Sequence, residues 1–163
     1  MVREVYISKK EAKNMVDEAR RQLKVDITGI EDKGNKTIEI DKNAHVLLLG
    51  KIVLIREGDK VFPSLICPES FLERFPAIRV DKGAVPYLCK GARVMRPGIV
   101  SFEKDFSVDD IVCIKEALHN KFIAVGRALI EKDEAEKTSK GVVLDNLHHV
   151  GDRYWNILKN VRI

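Results

Sequence analysis

The sequence predicts an α+β protein of two domains, a small N-terminal domain over residues 1–77 and a C-terminal domain over residues 78–163. Three observations predict this class. An amphipathic helical pattern lies near the N-terminus, short β-type runs follow it, and a basic, glycine-containing segment opens the second half. The 163 residues are 45% hydrophobic, which is enough apolar material for a core, although two domains bury less surface than one.

The first predicted element is an amphipathic helix that begins after Ser8 and ends near Lys24. Ser8 and Glu11 match a capping box, in which each side chain accepts the backbone N–H of the other residue. Apolar residues then recur at helical spacing on one face. They are Ala12, Met15, Val16, Ala19 and Leu23.

Short β-type runs follow the helix and predict an antiparallel sheet on which the helix packs. Turn residues separate the runs. A short helix before the domain boundary is predicted over residues 68–75. The runs cover residues 37–40, 45–49 and 51–55, and the turns lie at 34–35, 41–43 and 58–59.

Residues 80–100, which read VDKGAVPYLCKGARVMRPGIV, predict a loop, a short helix and a second loop. Asp81 can cap a helix over residues 83–90, because its carboxylate can accept unpaired backbone N–H groups. Pro86 fits the first turn, and Gly91 is free to take the left-handed conformation that ends a helix. We expect residues 93–96 to be extended.

Five basic side chains lie in or beside this segment, against the single acid Asp81. Such a concentration fits a phosphate-binding patch, although a solvated charged face is the alternative. Arginine offers planar donors to phosphates or base edges, whereas lysine acts as a less directional charge. The five residues are Arg79, Lys82, Lys90, Arg93 and Arg96.

Smaller residues of the segment have their own predicted roles. Gly83 and Ala84 leave the backbone uncovered at a helix N-terminus, so a phosphate or a terminal ribose can approach closely. Met95 and Pro97 offer apolar contact to a base. The alternatives are that Gly83 and Gly91 serve only turn geometry and that Met95 belongs to the core.

The segment resembles the start of a PUA domain, whose pattern opens with Asp-x-Gly-Ala and continues through Gly-Ala to Pro-Gly. Residues 123–128 (IAVGRA) resemble the central strand of that family, and residues 141–155 (GVVLDNLHHVGDRYW) resemble its closing strands. The resemblance implies a six-stranded pseudobarrel that binds RNA.

The closing strands are expected to extend to Trp155, so Arg153 and Tyr154 should alternate with it in facing, and one of them borders the RNA groove. Arg153 is therefore included among the candidate RNA-binding residues. Trp155 and Phe106 are expected in the core, because aromatic side chains contribute mainly by burial.

The stretch from Phe62-Pro63 to Phe75-Pro76 is similar to the malignant T-cell amplified sequence family. Those proteins place a small pre-PUA domain before a PUA domain. The eukaryotic members work in translation initiation on the small ribosomal subunit, with a protein partner. The compact length of this chain resembles the archaeal members.

Neither a metal nor another cofactor is expected. The three cysteines, at 67, 89 and 113, contain no CxxC pair, and the adjacent His148 and His149 do not complete a four-ligand set. We expect buried free thiols in a reducing compartment.

A cytoplasmic location without a membrane span is also expected. The longest apolar stretch, residues 46–55, is interrupted by Gly50 and Lys51, and the N-terminus has no apolar signal core.

Catalytic residues are not expected either, because the sequence contains none of the GxxxxGK[ST], GxGxxG, HExxH or GxSxG motifs. The His148-His149 pair has no identifiable nucleophile or orienting acid.

The leading hypothesis is a non-catalytic RNA-binding factor of translation that holds a tRNA acceptor end or structured rRNA at the small ribosomal subunit. Its N-terminal domain would dock a protein partner. The alternatives are a module that delivers RNA to a modification enzyme of the pseudouridine or archaeosine pathway, and a small enzyme with an unrecognised site.

Overall fold

The computed structural model describes residues 2–27 and 34–161. The chain forms two compact units, the first through Arg74 with Val161 added, and the second over Phe75–Asn160. This division lies three residues before the predicted boundary after residue 77. Ala77 belongs with the second unit because it lies opposite Glu103 and Cys113 in the sheet of that unit.

The first unit contains an antiparallel sheet, and its described residues supply five strands in chain order. Its elements are β1 (Arg3–Tyr6), α1 (Lys9–Leu23), β2 (Lys36–Glu39), β3 (Ala44–Leu49), β4 (Ile52–Glu57), β5 (Lys60–Pro63) and α2 (Glu69–Leu72).

Helix α1 has the predicted ends. The Ser8 and Glu11 side chains each accept the other residue's backbone N–H, at 3.1 Å in both cases. At the other end, Lys24 takes a left-handed conformation with φ of 57°. The predicted apolar face is buried at Ala12 and Val16, as well as further along at Ala19 and Leu23.

Strands β2, β3 and β4 agree with the three predicted runs to within one or two residues at each end. The edge strands β1 and β5 were not predicted. All four residues of β1 are exposed, so no buried alternation marked it as a strand. Strand β5 ends at Pro63, and proline in a short run argues against a strand except at an edge.

The second unit is a curled sheet of six strands over residues 75–160, all of which are described. The strand order is β7-β11-β10-β9-β6-β8, and only the β6–β9 pair is parallel. The predicted α+β class with a six-stranded C-terminal domain is confirmed. The elements are β6 (Ala77–Val80), α3 (Val85–Leu88), β7 (Val94–Met95), β8 (Ile99–Glu103), β9 (Ile111–Glu116), β10 (Phe122–Ala128), α4 (Lys132–Lys137), β11 (Val142–His149) and α5 (Arg153–Leu158).

The core of this unit lies inside the curl, and Phe106 belongs to it as predicted. At the centre of the sheet, Gly126 of β10 approaches β11 closely. A Cβ atom at Gly126 would lie 2.6 Å from the Asp145 backbone oxygen, so only glycine fits there. Buried core residues include Ile78, Val80, Val112, Ile114, Ala124, Val143 and Leu144.

The prediction that residues 141–155 are extended throughout is wrong beyond His149. Strand β11 ends there, and Asp152 begins α5 by accepting the Trp155 N–H at 2.9 Å. Aspartate is a favoured helix N-cap, a signal that the strand interpretation overlooked. Trp155 is therefore half-buried on a helix, whereas the neighbouring Tyr154 is buried.

Cys67 and Cys113 are buried free thiols, as predicted, but Cys89 is only half-buried. Burial raises the pKa of Cys67 to about 12, so its thiol stays protonated near neutral pH. Among the described residues, none of the helices combines the length and apolar character that crossing a membrane requires.

Candidate nucleic-acid interface

A cleft of about 410 Å³ opens beside helix α3. We call it the α3 cleft. Five of the ten predicted RNA-binding residues line it: Gly83, Ala84, Arg93, Met95 and Pro97. Its other lining residues are Val80, Asp81, Tyr87, Leu88, Ala92, Val94 and Gly98.

One wall of the cleft is the tight loop that precedes α3, and Asp81 closes this loop. Its carboxylate accepts the Ala84 N–H at 3.0 Å, and its own N–H donates to the Gly98 oxygen at 3.0 Å. The prediction that Asp81 is the helix N-cap is wrong, because Ala84 holds that position without a side-chain cap and Asp81 closes the preceding turn instead. The helix itself is shorter than predicted, four residues with Pro86 in its first turn. A Cβ atom at Gly98 would lie 3.3 Å from that of Ala84, so a small residue lets the two loops meet.

The opposite end of α3 is fixed by β11. The Asn146 Nδ2 group donates to the Leu88 oxygen at 3.0 Å and to the Ala92 oxygen at 2.9 Å. Between these acceptors, Gly91 has φ of +94°, the left-handed conformation predicted for the helix stop. One side chain therefore holds both the helix end and the turn that leads to Arg93.

Two large side chains on this cleft are open to solvent. Tyr87 is 68% exposed and Met95 is 47% exposed. The alternative that Met95 belongs to the core is therefore wrong, because β7 buries the adjacent Val94 instead. Sequence reasoning missed Tyr87, although an aromatic residue beside the buried Leu88 on so short a helix was a usable signal.

Arg93 is the single basic residue among the described residues that line the α3 cleft. Its side chain is 63% exposed, and its Nε lies 3.2 Å from Oδ1 of Asp145 on β11. Arg93 therefore both lines the cleft and pairs with a carboxylate.

Arg96, which was predicted to belong to the basic phosphate-binding patch, does not line the α3 cleft. Its Nε donates to the Ala135 oxygen of α4 at 2.7 Å, and Nη1 donates to the Ile99 oxygen at 3.2 Å. The guanidinium also lies 5.2 Å from the centre of the Phe102 ring. The extended stretch ends at Met95, and a 3₁₀ turn that begins at Arg96 brings its side chain to α4.

Arg79 is likewise held by the fold, because its Nη2 donates to the Ala117 oxygen at 2.8 Å. Lys82 and Lys90 differ from these arginines. Both are exposed, one on either side of α3 and outside the cleft lining. The five-cation cluster predicted from the sequence thus reduces to Arg93 in the cleft and two lysines beside it.

Arg153 does not line the cleft. It begins α5, where its guanidinium lies 5.0 Å from the centre of the Tyr154 ring and Nη2 donates to the Tyr154 hydroxyl at 3.1 Å. The predicted alternation of facing at residues 153–155 is wrong, since these residues are helical rather than extended.

The buried His148 has an acidic partner that the sequence did not reveal. Its Nδ1 lies 2.8 Å from Oδ2 of Asp152. Burial alone would raise the pKa of Asp152, but hydrogen bonding and charge from His148, together with two backbone N–H groups, lower it overall. His148 is fully buried, and the pair joins β11 to α5.

The comparisons with known proteins agree with this architecture. The PUA domain family model matches residues 76–150. An uncharacterised protein of Methanocaldococcus jannaschii is 33% identical over 156 residues, which cover 93% of this chain and 94% of that protein. The chain belongs to the PUA-domain family.

Two named relatives extend the match. Translation machinery-associated protein 20 of Saccharomyces cerevisiae is 29% identical over 113 residues, 66% of this chain and 62% of that protein. Malignant T-cell-amplified sequence 1 of Rattus norvegicus is 27% identical over 127 residues, 75% of this chain and 70% of that protein. The crystal structure of a hypothetical protein of Pyrococcus horikoshii covers 95% of this chain and 99% of its own, with a TM-score of 0.74 and 25% identity. The predicted likeness to the malignant T-cell amplified sequence family and to archaeal proteins is confirmed.

The two arginines should differ in their effect on stability. Arg96→Ala should lower the free energy of unfolding by about 1–3 kcal/mol, because it removes the donor from two carbonyl oxygens. Arg93→Ala should lower it by less than about 1 kcal/mol, since the Arg93 side chain is exposed and Asp145 keeps Arg127 as a partner. Denaturant titration measures both values, and equal losses would contradict the distinction.

Proposed function

We propose that this protein is a non-catalytic RNA-binding factor associated with translation, and that its α3 cleft holds an unpaired nucleotide at the end of an RNA strand. PUA domains bind RNA, which supplies the class of ligand. The observation that carries the finer proposal is an apolar, concave cleft with an exposed tyrosine on its wall and one arginine at its edge.

The shape of the cleft favours a nucleotide that protrudes from its strand. A pocket of about 410 Å³ has the size of a site for a small molecule and is concave, so a base inside a duplex cannot enter it. Unpaired bases are splayed out and stacked on aromatic or apolar side chains in single-stranded RNA recognition. Tyr87 and Met95 present such surfaces to solvent.

Charge near the cleft fits the strand that would carry this base. Lys82 and Lys90 are exposed on either side of α3, where they can neutralise phosphates before and after the bound nucleotide. A nucleotide inside a strand can enter a concave site only if the strand bends on both sides of it. A terminal nucleotide, such as the acceptor end of a tRNA, needs no second bend. We therefore favour the tRNA acceptor end over structured rRNA.

Association with translation rests on the relatives. One is named translation machinery-associated, and the matched region covers 62% of that yeast protein. We extend this association to the small ribosomal subunit for this chain.

Substitution of Tyr87 tests the cleft. Loss of base stacking costs roughly 1–3 kcal/mol, so Tyr87→Ala should weaken binding of a single-stranded RNA with a free 3′ end by about tenfold. Tyr87→Phe should keep most of the affinity. Tyr6→Ala is the matched control, because Tyr6 is also exposed but lies on β1 of the first unit. Fluorescence anisotropy measures the affinities. Unchanged binding by a folded Tyr87→Ala variant would show that the cleft does not hold the base.

Co-sedimentation tests the link to translation. The protein should sediment with small ribosomal subunits in the presence of tRNA, and Tyr87→Ala should weaken this association. If the protein instead sediments free and copurifies with an RNA-modifying enzyme, the delivery module is the better account.

A further inference from the structure

A continuous row of ion pairs leads from the α3 cleft across the sheet. Arg93 Nε lies 3.2 Å from Asp145 Oδ1, and Asp145 Oδ2 accepts from Arg127 Nη2 at 3.0 Å. Arg127 Nη1 then donates to Asp109 Oδ1 at 2.8 Å. Asp145 and Arg127 are cross-strand partners on β11 and β10, beside the close approach at Gly126.

The inner members of this row of ion pairs are more buried than its ends. The side chains of Asp145 and Arg127 are 25% and 28% exposed, whereas those of Arg93 and Asp109 are 63% and 70% exposed. Asp145 is therefore a fixed anchor, since each of its two carboxylate oxygens already has a guanidinium partner. Arg93 is the exposed member that lines the cleft.

The atom of Arg93 that Asp145 engages decides what remains for a ligand. A guanidinium has five donors in a planar fork, and contact through Nε leaves Nη donors for the cleft. The row of ion pairs contains two acidic and two basic side chains, so its net charge is zero. Arg93 is thus a paired positive charge rather than an isolated one.

We propose that Asp145 is a positioning residue that sets the specificity of the α3 cleft. It aims the Nη donors of Arg93 at acceptors on the edge of an unpaired base, and its charge makes the cleft a poor site for a bare phosphate. The proposal rests on the proposed RNA-binding function and adds the ligand chemistry to it: a base edge that carries hydrogen-bond acceptors, recognised as arginine recognises such edges elsewhere.

The sign of one substitution effect separates this role from that of a simple counter-charge. Removing an acid near an RNA-binding surface raises affinity for all RNA if only net charge matters. If Asp145 aims Arg93, Asp145→Asn must instead weaken binding of a free-ended single strand. Asp109→Asn is the matched control, because it makes the same charge change at the end of the row of ion pairs that lies farthest from Arg93. Asparagine also tolerates the φ of +73° at that position.

The experiment measures affinities for a short single-stranded RNA with a free 3′ end and for a blunt duplex of the same length. Asp145→Asn should weaken single-strand binding about tenfold, while duplex binding is unchanged or tighter. The log-log salt slope for the single strand should steepen by about 0.7, since the released Arg93 can contact a phosphate. Asp109→Asn should change neither the preference for the single strand nor the slope.

Arg93→Lys supplies a second test that does not depend on the Asp145–Arg127 pair. It keeps the charge but loses the planar fork, so it should weaken single-strand binding nearly as much as Arg93→Ala. Equal tightening of both RNAs by Asp145→Asn and Asp109→Asn, with full affinity in Arg93→Lys, would overturn the positioning role alone. A folded Arg93→Ala variant with wild-type affinity would overturn both the role and the use of the cleft.

Discussion

The candidate site depends on the two hydrogen bonds that the Asn146 amide donates to the Leu88 and Ala92 oxygens. A four-residue helix has little stability of its own, so tertiary contacts must hold α3 in place. Asn146 supplies such a contact from β11, and the preceding residue, Asp145, holds Arg93. Adjacent residues of one strand therefore fix the helix, the turn after it and the arginine of the cleft. Gly126 lets β10 approach this part of β11, which couples the site to the centre of the sheet.

Local signals predicted much of the fold. The Ser8 capping box, the strands around the Gly50 turn and the left-handed Gly91 all depend on residues close together in sequence. The errors have physical reasons as well. Strand β1 is exposed on every residue and so lacks a buried pattern, and Asp152 acts as a helix cap within a stretch interpreted as a strand. The six-stranded arrangement itself came from the resemblance to a family, because pairing between distant strands leaves little trace in one sequence.

The site was predicted less well than the fold, because the partners of its charged residues are distant in sequence. Arg79 and Arg96 each donate to a carbonyl oxygen 38 or 39 residues away, so counting positive charges overstated the patch. Glycine and proline positions were more informative, since they define the loops that form the cleft walls. The resulting picture is a small apolar cleft with one ion-paired arginine and two flanking lysines, rather than a broad basic surface. Under the proposed function, this site would hold a single unpaired nucleotide, with phosphate contacts in a supporting role.

Cross-linking of bound RNA shows whether the α3 cleft holds the base. An RNA that carries 4-thiouridine at its 3′ end would be irradiated in complex with the protein, and mass spectrometry would identify the modified residues. Cross-links are expected within residues 81–98, centred on Tyr87 and Met95. Cross-links confined to the first unit, or to strands of the second unit away from α3, would contradict it.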